Sequence, residues 1–396
     1  ILLKDKLLGI MGEKQISERD KELPTNFMRD KPSAEAGLDP TFAKEYLNKT
    51  THIEYYKKIN MGTPESFIAT KAKLEKIKPF LKRQLKEVVS IGVGAGEELQ
   101  AAASVFNRAT ISGIDLVDGA LRLTKENMDK YGLKAELIRA SGTQLPFAKE
   151  SVDVVVESAT LHEIYSYMPN GKLAWKRAIQ EVANCLAEDG VFLLRDFSAP
   201  SSEIIVTLTI KPDSQMAEFE TKFYDYFRQY YRVFESWTEN GANKIEDRRA
   251  PSDPDYPEID SKTRKIKLTF DRAAEFLLHY RNFYEDHRNE LVEFRDPKWK
   301  EINETYLPPN PDKKGFMSMP KEEYIGMILE VANLSLAASP YKIVCVKDEA
   351  SSREETTKFL MDGFSLTVTD DDTKTETELF NQITEKMELI FKKVRR

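Results

Sequence analysis

Between residues 86 and 200 the chain alternates two patterns. Short runs rich in β-branched and apolar residues read as strands: EVVSIG (87–92), TISGID (110–115), AELIRA (135–140), VDVVVES (152–158) and GVFLLRD (190–196). Stretches with helical apolar spacing separate them: ELQAAASVF (98–106), GALRLTKENMDKYG (119–132) and WKRAIQEVANCLAEDG (175–190). Strands that alternate with helices predict a parallel sheet covered on both faces. VDVVV is almost wholly apolar, as expected of a central strand in such a sheet.

The flanks differ. Residues 1–85 read as a helical N-terminal extension, with helix-like spacing in IEYYKKI and SFIATKAKLEKIKPFLKRQL and a loop over TNFMRDKPSAEAGLDP. Residues 201–318 lose the alternation and read as a large helical insertion after the fifth strand. There Phe219, Phe223, Tyr226, Phe227, Tyr230, Phe234 and Trp237 fall on one helical face, and DRAAEFLLHYRNFYEDHRNELVEF repeats the habit. EDRRAPSDPDYPEIDSKTRK between them reads as an exposed loop. Residues 319–396 read as a return to the sheet. MPKEEYIGMILEVANL is a helix, SPYKIVCVKD and FLMDGFSLTVTD are strands, and TETELFNQITEKMELIFKKVRR is a last amphipathic helix with cations at its C-terminal end.

Composition is that of a soluble globular protein, 41% hydrophobic and 32% charged, and 396 residues are ample for a core. The formal net charge of −7 means that binding a polyanion would need a local basic patch. Two isolated cysteines, Cys185 and Cys345, form no disulfide framework or zinc site, so a reducing, cytoplasmic compartment is expected. His52, His162, His279 and His287 show no metal-ligand spacing, and no metal is expected. No apolar run approaches the ~18 residues of a membrane span. ILLKDKLLGIMG carries charges that interrupt any signal-peptide core and starts without Met, so the chain is expected to begin inside a longer one. Nothing in the pattern speaks to oligomeric state.

Chemistry concentrates after the first strand. Gly92, Gly94 and Gly96 stand in a strand-to-helix turn, where glycine allows a sharp bend and close approach of a ligand. The helix that follows offers free N–H groups and a positive dipole end. The spacing departs from the dinucleotide fingerprint G-x-G-x-x-G, because Glu97 replaces the third glycine. Glu97 and Glu98 would repel a pyrophosphate, and no GK[ST] follows to make a Walker loop. A cationic or zwitterionic ligand tolerates those acids better. Asp115 ends the second strand about 20 residues after the glycines, where a carboxylate accepts ribose hydroxyls.

With these residues in place the chain resembles the class I S-adenosylmethionine-dependent methyltransferases. SIGVGAGEE, GIDLVDGAL, ASGTQLPFAKESVDVVVES and GVFLLRDFSAP carry the resemblance, which covers residues 86–200 well and 319–370 loosely. It implies a Rossmann-like, doubly wound α/β core split into 86–200 and 319–396, with S-adenosylmethionine as cofactor. It implies that Gly92 to Gly96 wrap the methionine moiety, that Asp115 and neighbouring Leu116 hold the ribose, that Ser141 and Gly142 lie at the adenine edge, and that Glu157, Ser158 and Ala159 flank the sulfonium. Two positions depart from the family. Ser90 stands where an acid often precedes the loop, and Ser141 stands where Asp is common, leaving a neutral acceptor in place of a charged one.

His162, just past the fourth strand, is the candidate general base for an acceptor O–H or N–H; the plainer reading is a structural histidine at a helix start. Glu163 reads as a solvated helix residue, and Asp196 as either a substrate contact or a cap. Glu157-Ser158-Ala159-Thr160 replaces the tetrapeptide of amino-methylating DNA enzymes, and neither cysteine is placed as a pyrimidine nucleophile. The aromatic stripe could stack bases, but helical spacing favours a core or partner face. Residues 201–300 hold 17 Lys and Arg against 20 Asp and Glu, which argues against a phosphate-binding face. The expected protein is an enzyme that transfers a methyl group to an O, N or C nucleophile of a small or medium-sized organic acceptor under a helical cap. An RNA methyltransferase guided by KTRKIK and KKVRR is the second expectation. A non-catalytic cofactor-binding scaffold is the third.

Overall fold

The structure is a computed structural model and describes residues 64–81, 84–167, 171–201, 203–211, 258–260, 265–274, 277–278, 320–351, 354–369, 373–383 and 386–396. Its strands are β1 (Glu87–Ile91), β2 (Thr110–Asp115), β3 (Glu136–Arg139), β4 (Val152–Ser158), β5 (Leu186–Asp196), β6 (Ile205–Ile210), β7 (Glu258–Asp260), β8 (Lys265–Thr269), β9 (Tyr341–Ser351), β10 (Phe364–Val368) and β11 (Lys386–Arg395). Its helices are α1 (Pro64–Glu75), α2 (Glu97–Val105), α3 (Asp118–Lys130), α4 (Leu161–Tyr167), α5 (Gly171–Cys185), α6 (Lys321–Ser335), α7 (Glu354–Gly363) and α8 (Glu376–Gln382). The chain divides into two compact units. The first comprises residues up to Asp196 with Ile325–Glu349 and Glu388–Arg396, and the second Phe197–Tyr324 with Ala350–Met387.

The first unit is built on a seven-stranded sheet of order β3-β2-β1-β4-β5-β11-β9. β1 pairs in parallel with β2 and with β4, β2 with β3, and β4 with β5. The five strands expected over residues 86–200 all form, and β11 and β9 extend the sheet beyond them. Strand order reverses between β1 and β4, and right-handed crossovers then place helices on opposite faces of a Rossmann-like sheet. β4 is buried along nearly its whole length, as its apolar run requires. Val88, Val154, Val156, Val191 and Leu193 from the strands meet Leu99, Ala102, Leu121 and Met128 from α2 and α3 in one core cluster.

The C-terminal run corrects the expectation of one last helix. α8 is a single short helix with a reciprocal capping box: Glu378 N donates to Thr375 Oγ1 at 3.3 Å, and Thr375 N donates to Glu378 Oε2 at 2.8 Å. The chain then becomes β11, the strand between β5 and β9. Met387 to Lys393 are all buried, which a one-sided amphipathic helix cannot achieve but an interior strand does. Even the two lysines comply. Lys393 Nζ donates to the carbonyls of Ala183 (3.1 Å) and Leu186 (2.7 Å), satisfying the end of α5, and Lys392 Nζ donates to Phe80 O at 2.9 Å.

The second unit also departs from the helical reading of residues 201–318. Its described part contains an antiparallel sheet of order β10-β6-β8-β7. Val206, Leu208, Ile266 and Leu268 alternate inward along β6 and β8, the period of a strand with one buried face, and pack with Phe270, Leu277, Phe364 and Phe380. Of KTRKIK, Lys265 to Lys267 lie in β8. FLMDGFSLTVTD splits into the end of α7 and β10, which pairs with β6 instead of returning to the first sheet. The stripe 219–237, most of the expected helix over 271–294, and IEYYKKI lie outside the described residues.

Phe391 on β11 stacks on Phe192 of β5 with ring centroids 5.8 Å apart. Phe391→Ala is expected to lower unfolding free energy by about 3–5 kcal/mol in denaturant titration, the usual cost of emptying a phenylalanine site. A loss under about 1 kcal/mol, the range of surface changes, would contradict an interior position for this strand.

Candidate active site

Every candidate residue lies at the carboxyl edge of the first sheet, around the point where strand order reverses. The turn after β1 is held by backbone hydrogen bonds: Gly92 N and Val93 N both donate to Ile114 O, at 2.8 and 3.2 Å. Gly92, Gly94 and Gly96 all have positive φ, at 71°, 53° and 87°. A Cβ on Gly92 would stand 2.1 Å from Thr160 Oγ1, so the loops after β1 and β4 meet too closely for any side chain there.

Asp115 ties the turn to the end of β2. Its Oδ2 accepts from Gly94 N at 3.1 Å and its Oδ1 from Val117 N at 2.9 Å. A carboxylate has about four lone-pair sites, so acceptor capacity remains for a ligand. Burial pushes the Asp115 carboxyl up to about 6, against the downward pull of the Val117, Gly94 and Leu116 N–H groups; Glu163 nearby adds to the rise. From α3, Thr124 Oγ1 donates to Gly94 O at 3.1 Å and Asn127 Nδ2 to Ala95 O at 2.9 Å. The loop is therefore fixed from both sides.

β4 divides its end residues between the two faces. Glu157 is in register with Ile91 of β1 and Leu194 of β5, and Asp196 lies two residues beyond Leu194, so these four share a face. Glu157 is buried, and neither carboxyl oxygen has a hydrogen-bond partner among the described residues. Burial, with the Asp196 carboxylate beside it, pushes its pKa well above the usual range, while His162 pulls the other way. His162 Nδ1 is 2.7 Å from Asp196 Oδ1, and His162 N donates to Asp196 Oδ2 at 3.2 Å. Both residues are buried. Ser158 is on the opposite face, where its Oγ accepts from Arg195 Nη1 at 3.2 Å. Arg195 Nη1 also lies 3.9 Å from Glu98 Oε1, and its Nε lies 3.3 Å from Glu388 Oε1, an ion pair rather than an aligned hydrogen bond.

Residues 89–194 match the family described as Methyltransferase domain. The match begins inside β1, spans the glycine turn, Asp115, Glu157 and His162, and ends two residues short of Asp196. Residues 89–194 are a methyltransferase domain. The methyl donor of such a domain is S-adenosylmethionine. An uncharacterized protein of Haemophilus influenzae is 32% identical over 115 residues, which are 28% of this chain and 43% of that protein. Among solved structures, a methyltransferase of Clostridium acetobutylicum is 11% identical and aligns over 87% of this chain and 98% of its own (TM-score 0.38). One of Methanosarcina mazei is 14% identical and aligns over 81% and 98% (TM-score 0.37). The assignment rests on the sequence match over residues 89–194.

Within the methyltransferase domain the expected residues converge unevenly. Gly92, Gly94, Gly96, Asp115 and Leu116 form one hydrogen-bonded unit. Ser141 and Gly142 follow β3 beside it, where Ala140 N donates to Asp115 O at 3.2 Å, and Gly142 approaches Ile164 and Ile91. Ser141 Oγ already accepts from Thr143 N at 3.2 Å, a local turn that occupies part of its capacity. Glu157 and His162 share a face with Asp196, and Ser158 does not. Glu98, expected to repel phosphate, has Arg195 within ion-pair range, so its charge is balanced. Sequence reasoning missed Thr124, Asn127, Thr160 and Arg195. Thr124 and Asn127 are polar residues three apart on one helix face, a pattern with no signature of its partner. Cys185 is buried and its thiol is pushed up to about 12, consistent with an inert side chain.

Gly92→Ala adds a left-handed backbone strain and a clash with Thr160. Denaturant unfolding should show a loss of about 1–3 kcal/mol, part of which returns in the double variant with Thr160→Ala. Full tolerance of the single change would show that the two loops are not packed in this way.

Proposed function

We propose that the protein is an S-adenosylmethionine-dependent methyltransferase that acts on an O, N or C nucleophile of a small or medium-sized organic acceptor. The observation that carries the reading is the Gly92–Gly96 turn bound to Asp115 at the strand-order reversal, within the sequence that matches the methyltransferase family. Asp115 would take the ribose hydroxyls on its remaining lone pairs, Leu116 would lie against the nucleoside, and Gly92, Gly94 and Gly96 would follow the methionine part. Ser141 and Gly142 would border the adenine, and Glu157 would face the reacting end. The donor supplies an electrophilic methyl group. The chain's own work is to align the acceptor with it and to exclude water.

His162 is the proposed proton acceptor. Its Nδ1 contact with Asp196 orients the ring, as in other orienting carboxylate–histidine pairs. Asp196 acts through His162 and is a positioning residue. The reading of RNA as acceptor loses part of its basis. Of the KKVRR run, Lys392 and Lys393 are buried and donate to carbonyls, so they are not available to phosphates. Lys265 and Lys267 remain exposed on β8. No helix among the described residues is long and apolar enough to cross a membrane.

Four measurements test this reading. Methyl-labelled S-adenosylmethionine incubated with the protein and a cell extract should label the small-molecule fraction; label confined to RNA would overturn the proposed acceptor class. Asp115→Ala should weaken S-adenosylhomocysteine by at least about tenfold, the scale of a lost charged hydrogen bond, and an unchanged affinity would refute the ribose placement. His162→Ala should lower turnover and leave that affinity unchanged. The pH dependence follows from the raised Asp115 pKa. Above about 6 the carboxylate is ionised and accepts the hydroxyls, and below it protonation removes acceptor capacity, so affinity should fall as pH drops through 6. A flat profile from pH 5 to 7.5 would contradict this.

A further inference from the structure

The corner after β4 carries a backbone strain that the proposed reaction does not account for. Ala159 has a φ of 55°, in the left-handed region. Two other described residues that are not glycine share such a φ, Glu150 and Asp189, and they lie before β4 and early in β5. Ala159 is the one at the carboxyl edge, where the candidate site lies. Alanine has a Cβ that crowds this conformation and no polar side chain to offset it locally, as Asn or Asp would have. Such a residue persists only where its surroundings over-determine it, and such residues cluster at functional sites. Arg195 supplies the restraint. It is the register partner of Ser158 on the neighbouring strand. Its carbonyl accepts from Ala159 N at 2.7 Å, and its Nη1 donates to Ser158 Oγ at 3.2 Å, so it grips the corner by backbone and side chain at once. The guanidinium is held in turn by ion pairs with Glu98 and with Glu388, which also pairs with Lys76 Nζ at 2.9 Å. Past the corner, Thr160 Oγ1 donates to Ser158 O at 3.2 Å, and Thr160 O accepts from Ile164 N at 3.0 Å, which opens the helix that carries His162. The same Thr160 fills the space over Gly92.

We propose that Arg195 is a positioning residue for the methyl-transfer site: it holds the Ser158–Ala159–Thr160 corner in its strained form and so keeps the glycine turn and His162 aligned around one ligand. This rests on the reading of the first unit as an S-adenosylmethionine site. Arg195 lies with Ser158 on the face opposite Glu157 and Asp196, so it acts through the corner rather than on a ligand. Gly92 has no room for a Cβ because Thr160 stands there, and Thr160 stands there because Ala159 turns the chain back. Without the guanidinium, Ser158 loses its donor and Ala159 relaxes toward an ordinary φ. That relaxation moves Thr160 away from Gly92 and turns the start of the next helix, and His162 with it. A glycine at position 159 removes the conflict, because glycine takes a positive φ without strain. The corner then keeps its shape without Arg195. Dependence on Arg195 is therefore tied to the Cβ of Ala159, a link that a simple loss of stability does not produce.

The test is a double-variant cycle on the intact chain, read as S-adenosylhomocysteine affinity by titration calorimetry. Arg195→Met keeps most of the side chain's length and removes its charge and donors. Alone it should weaken S-adenosylhomocysteine by about tenfold or more, the scale of a lost charged hydrogen bond. In the Ala159→Gly background the same change should weaken it by less than about threefold, a coupling of the size found between residues in contact. An equal loss in both backgrounds, or no loss in either, would overturn the positioning role while leaving the cofactor assignment standing. The amide of Ala159 in the wild-type chain gives a second reading, which holds even if Arg195→Met fails to fold. Bonded to Arg195 O, it should exchange with solvent far more slowly than a free amide, and rapid exchange would overturn the grip on the corner. Failure of the wild type to bind S-adenosylhomocysteine would overturn the methyltransferase reading itself, and the role of Arg195 with it.

Discussion

The carboxylate of Asp115 is the constraint on which the rest of the site depends. It ends β2, it is almost buried, and it accepts backbone N–H groups from both the glycine turn and the start of α3. Those two bonds fix a loop that three positive-φ glycines would otherwise leave free to move. Burial raises its pKa to about 6, so the group remains an acceptor at neutral pH with little margin. The turn, the end of β2 and the first residues of α3 are therefore one object. The body of α3 completes the restraint through Thr124 and Asn127.

The sheet separates two kinds of polar group by face. On one side Glu157, His162 and Asp196 gather at the ends of β4 and β5. On the other, Arg195 lies among Ser158, Glu98 and Glu388. The alternation of a strand produces this without further design, because neighbouring residues point to opposite faces. One side is a set of mutually compensated charges that joins α2, β5 and β11. The other holds Glu157, whose carboxyl oxygens have no hydrogen-bond partner among the described residues.

Much of this was legible in the residues. The apolar runs from EVVSIG to GVFLLRD became β1 to β5 because a fully buried parallel strand must be almost continuously apolar, and few other structures accept such a run. Gly92, Gly94, Gly96 and Asp115 were legible because a close backbone approach and a strand-end acid have spacing signatures. The C-terminal run was not. ELIFKK has apolar residues that suit either an amphipathic helix or an interior strand, and the burial of Lys392 and Lys393 depends on carbonyls more than a hundred residues away in sequence. The antiparallel sheet of the second unit was hidden for a related reason. β6, β8 and β10 are short, and their partners are set by long-range pairing that no local window contains. Arg195, Thr124 and Thr160 were missed because their roles exist only through partners brought together by the fold.

Hydrogen exchange of the intact chain with and without S-adenosylhomocysteine tests the central claim most directly. The account predicts saturable binding and slowed exchange in residues 92–96, 115–117 and 157–162 together, since one ligand must engage the ends of β1, β2 and β4 at once. No binding, or protection confined to other segments, would contradict it.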